Sequence, residues 1–99
     1  MLTLEARILR FQNGDNEEPK GLEEVISGDL DPDEYAVPGG DIVLGDRRFN
    51  VYRIEHEGFV YDSLRLSSVQ EFTLFLFGYV GDGVWYKYRA RCSTRKKSG

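Results

Sequence analysis

The chain has one cysteine, one histidine and one tryptophan among its 99 residues, and each scarcity excludes something. Cys92 has no partner in the chain, which rules out the intrachain disulfides that staple small secreted domains. No apolar run is long: the best, Phe72 to Val80, is interrupted by Thr73 and Gly78 and falls far short of the roughly 20 residues of a spanning helix. The segment from Met1 to Arg7 meets an acid at Glu5 and has no apolar stretch of the kind a secretory leader carries, so a cytoplasmic or host-cytoplasmic protein without membrane contact is expected. No catalytic or metal-binding signature stands out, and no cofactor is expected.

What remains is an ordinary globular composition, 40% hydrophobic and 30% charged, at a length that predicts one small domain over residues 1–99. The net charge of −4 conceals a strong polarity. From Asp15 to Asp41 the carboxylates are opposed by Lys20 alone, whereas residues 83–99 carry only basic charge. An acidic first half is followed by a basic end, and this asymmetry is the most informative feature of the sequence.

Leu2, Leu4, Ala6 and Ile8 alternate with polar residues, the period-two pattern of a half-buried strand. Residues 12–40 read as an acidic, loop-rich segment: Gln12 to Pro19 is turn chemistry, Leu22, Val25 and Ile26 are spaced for a short helix at 20–27 closed by Gly28, and Gly28 to Gly40 reads as a long acidic connection. From Asp41 onward, short β-rich runs separated by Gly45-Asp46 and Glu57-Gly58 predict a β-meander. A type I′ turn at Asp82-Gly83 would pair Tyr79 with Tyr86, Phe77 with Tyr88 and Phe75 with Ala90 on a core face. Leu74, Leu76 and Gly78 would then oppose Arg91, Arg89 and Lys87 on a cationic face that also carries Trp85. A competing helix over Val69 to Phe77, with a capping box at Ser68 to Glu71, is outweighed by the aromatic and Thr content of that stretch. Residues 93–99 are expected to be a basic flexible tail.

Several constellations invite a chemical reading. His56 between Glu55 and Glu57 has the composition of a general base, but adjacent strand residues point to opposite faces, and a solvated turn histidine is the simpler account. Asp29, Asp31 and Asp33 have the spacing that opens an EF-hand loop, yet Glu34 stands where the glycine is required and Gly40 where the closing Glu belongs. Cys92 shares parity with Tyr88 and Ala90 and reads as a buried hydrophobe rather than a nucleophile. The glycines of Gly78 to Gly83 are explained by turn geometry and make no phosphate loop.

The expected fold is mainly β: a small antiparallel barrel or strongly curved meander of five to six strands, with one short helix. Leu4, Ile8, Val43, Val51, Ile54, Val60, Leu64, Phe75, Phe77 and Tyr88 are the expected core. The expected function is a non-enzymatic protein-interaction module, a small acidic inhibitor, regulator or assembly component of the size and charge seen in viral and mobile-element proteins. It would bind a protein partner through Trp85, Lys87, Arg89, Arg91, Leu74 and Leu76, and through the acidic Asp29, Asp31, Asp33 and Glu34. The alternative is a nucleic-acid-binding barrel using the basic strand and tail, and a small enzyme centred on His56 is a third reading. The two-sided apolarity of 72–80 also makes the 72–92 hairpin a candidate homo-oligomer surface.

Overall fold

The computed structural model describes residues 2–11, 21–79 and 81–96. The described residues form nine strands: β1 (Leu2–Arg10), β2 (Glu24–Leu30), β3 (Tyr35–Ala36), β4 (Asp41–Leu44), β5 (Arg47–His56), β6 (Phe59–Val60), β7 (Leu64–Arg65), β8 (Glu71–Tyr79) and β9 (Trp85–Lys96). The one helical piece among the described residues is a 3₁₀ turn, Leu66–Ser68. The main sheet is antiparallel in the order β2-β1-β9-β8-β5-β4, with β6 extending β5, while β3 and β7 pair separately. Its end strands approach each other without a hydrogen-bonded ladder. Ile26 lies so close to Gly45 that a Cβ there would sit 2.9 Å from its methyl group. Arg47 reaches across to Glu24 at 2.7 Å, and the sheet is thereby a nearly closed barrel.

The interior is built by alternation. Leu4, Ala6 and Ile8 of β1 meet Ile42, Leu44, Phe49, Val51 and Ile54 of β4 and β5, with Leu74, Leu76, Tyr88 and Ala90 of the last hairpin completing the core. Gly78 admits Phe49 and Tyr88, whose rings meet edge to face at 5.6 Å. A Cβ on Gly78 would come within 2.6 Å of the Tyr88 ring.

Three expectations are corrected here. The short helix at 20–27 is replaced, from Glu24 on, by β2, whose β-branched Val25 and Ile26 pair with Arg7 and Ala6. Leu22 and Val25 are exposed, so the helical spacing buries no face. The tail begins later than expected, because Ser93 to Lys96 belong to β9 and pair with Glu5 to Leu2. The third correction concerns phase. Val43 and Val60 are exposed, and Ile42 and Leu44 are the buried residues of β4. The turn expected at Gln12 to Pro19, Lys20 and residues 97–99 of the tail lie outside the described residues.

The last hairpin carries the same error of phase. The turn forms as expected, with Asp82 at φ +54°, Gly83 at φ +75° and the Val84 N–H donating to the Gly81 carbonyl at 3.0 Å. The ladder nevertheless ends on Tyr79 opposite Trp85, one residue out of step with that turn. A slip of one residue sends every side chain of a strand to the other face. Leu74 and Leu76 are therefore fully buried, and Phe75 and Phe77 stand outside, opposite Arg89 and Lys87. Packing decides the matter: the inner surface under Phe49 and Tyr88 has room for a glycine at position 78, and that parity brings the leucines inward with it.

Candidate functional site

The outer face of β5, β8, β9 and β1 concentrates rings and cations. On β9, Trp85, Lys87, Arg89 and Arg91 point outward on alternate residues, and β8 sets Tyr79, Phe77, Phe75 and Thr73 opposite them. A bulge in β5 between Val51 and Arg53 turns both Tyr52 and Arg53 to the same side. The Tyr52 ring then lies 4.5 Å from Phe77 and 6.1 Å from Phe75. Phe11 extends the β1 ladder through its N–H to the Lys87 carbonyl at 2.9 Å and stacks on Phe75 at 6.4 Å.

Cations ride on these rings. Lys87 Nζ stands 5.6 Å from the centres of both Tyr52 and Phe77, and the Arg53 guanidinium 5.6 Å from Phe75. At the hairpin end Tyr79 and Trp85 pack at 5.1 Å, tilted 54°, and both remain more than half exposed. They wall a half-open cavity of about 560 Å³ that is bordered on its far side by Asp46, Arg48 and Asn50. Carboxylates mark the margin of this surface: Glu5 pairs with Arg7 at 3.4 Å and Glu55 with Arg53 at 2.6 Å.

The acidic residues lie elsewhere. Asp29 closes the row Asp29–Thr3–Arg95 at the opposite end of the barrel, about 35 Å from Trp85 along a twelve-residue strand. Asp31 accepts the Asp33 N–H at 2.9 Å, and the Pro32 carbonyl accepts Arg65 Nε at 2.9 Å and Ser67 Oγ at 2.7 Å. Asp33 faces Arg65 at 3.5 Å. Glu34 is held above the usual carboxylate range by burial and by the nearby Asp31 charge. The Asp31 and Asp33 carboxylates help to shape a turn, and no cluster of His, Cys, Asp and Glu able to hold a metal occurs among the described residues.

The remaining candidates have structural roles. His56 donates from Nδ1 to the Glu71 carbonyl at 2.8 Å, packs 5.9 Å from Tyr61, and so clips the end of β5 to β8. Cys92 is buried, and desolvation pushes its thiol up to about 12.

Of the residues expected to bind a partner, Trp85, Lys87, Arg89 and Arg91 come together on one face. Leu74 and Leu76 do not belong to it, and Asp29 to Glu34 form a separate feature. Sequence reasoning missed Phe11, Tyr52, Phe75, Phe77 and Tyr79. The signal lies in the aromatic positions 75, 77 and 79, which the register of the ladder turns outward. No family model, curated protein or solved structure matches the chain.

Proposed function

We propose that the protein is a non-enzymatic interaction module whose working surface is the outer face of β5, β8, β9 and β1. The observation that carries this reading is the gathering of Trp85, Tyr79, Phe75, Phe77 and Tyr52 with Lys87, Arg89 and Arg91 on one side of the sheet, while a separate apolar core fills the other. A large outward aromatic patch does nothing for the core, and surfaces of this kind mark binding sites. Trp, Tyr and Arg are also the residues that carry most binding energy where they cluster. The partner's contacting surface is anionic and offers flat or apolar groups.

The test uses the protein as paired baits in the cells that make it. Wild type and Trp85→Ala/Arg91→Ala are expected to have similar thermal midpoints, with one captured species retained by the first and lost from the second. Equal retention by the two baits contradicts the reading. So does a double variant that folds normally and still competes fully with wild type for the same species.

A further inference from the structure

We infer that the ligand of this face is a single-stranded nucleic acid, an inference that rests on the reading of the face as the working surface. The first argument is spacing. Lys87, Arg89 and Arg91 recur on every second residue of an extended strand, which sets their stems roughly 6 to 7 Å apart in a straight row. A regular row of cations suits a polyanion with a regular repeat of its own, such as an extended phosphate backbone.

The second argument is the partnering of that row with rings. Tyr79, Phe77 and Phe75 lie directly opposite Trp85, Lys87 and Arg89, so a ring flanks two of the three cations of the row, Arg91 facing Thr73. Stacking bases on aromatic side chains beside a cationic track is how strands are held without sequence preference. Trp85 and Tyr79 offer the most open ring faces, and the cavity beside them has Arg48 and Asp46 placed to meet the edge of a base seated there. Polyglutamate would answer the charges but has no rings to match this succession of aromatic side chains. A duplex hides its bases from Trp85.

The charge layout agrees. Glu5 and Glu55 at the margin are engaged by Arg7 and Arg53, Asp41 and Asp46 line the cavity beside Trp85, and the acidic turn at Asp31 to Glu34 is at the far end of the barrel. A strand lying along β9 from Trp85 to Arg91 therefore meets cations and rings along that course.

The experiment is anisotropy of a labelled oligothymidylate of about 12 nucleotides, matched to the site sizes of single-strand binders. The emission of Trp85, the only indole in the chain, is followed in parallel. Three phosphate contacts predict affinity falling about 40-fold between roughly 25 and 150 mM salt. Trp85→Ala is expected to weaken binding about 5- to 150-fold. Arg91→Gln, a conservative surface change that leaves the ring cluster intact, is expected to flatten the salt slope by about 0.7. A matched duplex is expected to bind more weakly and to leave Trp85 emission unchanged. Absence of oligothymidylate binding at low salt overturns the inference, as does binding indifferent to Arg91→Gln, or a duplex bound as tightly. Polyglutamate that perturbs Trp85 where oligothymidylate does not would overturn the nucleic-acid ligand and leave the interaction face standing. If both polyanions bind and neither Trp85→Ala nor Arg91→Gln affects either one, both readings fail.

Discussion

At the scale of single residues, Gly78 shows how one missing side chain directs a whole strand. Its Cα lies under the Tyr88 and Phe49 rings, and an added Cβ would meet them at 2.6 and 3.0 Å. Gly78→Ala is therefore expected to destabilise the fold by about 1–3 kcal/mol, the usual range for overpacking a tight interior. A urea midpoint equal to wild type would show that the rings can give way. Cys92 is expected to resist thiol-disulfide reagents until the chain unfolds, because burial keeps its thiol protonated with a pKa of about 12. Rapid labelling of the native protein would contradict that. Glu34 gives a pH signature. Its folded carboxyl lies above the ordinary 4.5, so the folded state holds the proton more tightly than the unfolded chain does. The favourable effect of that proton is complete below 4.5 and is lost as pH rises through the folded value. Glu34→Gln should therefore be more stable than wild type at neutral pH, with the gap closing near pH ~4 in paired denaturation curves. A gap that widens on acidification would be the wrong sign.

At the scale of elements, alternation within a strand was legible and registry between strands was not. The parity of β1 and of β9 follows directly from Leu4, Ala6, Ile8 and from Tyr88, Ala90, Cys92, all of which are buried. On β8 both parities are apolar, so nothing in the stretch from Phe72 to Tyr79 says which set faces inward. The turn chemistry of Asp82-Gly83 was correctly read, but a turn fixes register only when the ladder runs straight into it. The bulge that turns Tyr52 outward has no local mark either, since it is set by pairing between Val51 and Arg53 of β5 and the distant Leu76 and Phe75. β2 departs from the helix expected there because Leu22, Val25 and Ile26 fit helical spacing while the edge of β1 offers Val25 and Ile26 a ladder. This strand has backbone pairing on one side only, and its exposed residues predict early opening. Hydrogen exchange should run fastest in β2 and slowest in β8 and β9; protection of β2 equal to that of β8 would mean the barrel is closed by more than Ile26 and Arg47.

At the scale of the whole molecule, the barrel separates chemistries that are mixed in composition. Apolar residues fill the interior, a carboxylate-rich turn lies at one end, and rings and cations share the outer face toward the other. The polarity along the sequence anticipated this separation in part, since the basic strand and the acidic segment are each continuous runs of chain. The aromatic half of the surface escaped notice because it is assembled from Phe11, Tyr52 and three residues of β8, which only the folded sheet brings beside Trp85. A chain of net charge −4 can present a cationic track in part because the acidic turn at Asp31 to Glu34 lies at the other end of the barrel. The most direct test of that central claim is a two-dimensional NMR titration with a short oligothymidylate, following every backbone amide. Shifts should gather on Phe11, Tyr52, Arg53, Phe75, Phe77 and Trp85 to Arg91, leaving Asp29 to Glu34 still. Shifts centred on the acidic turn, or spread evenly over the barrel, would contradict it.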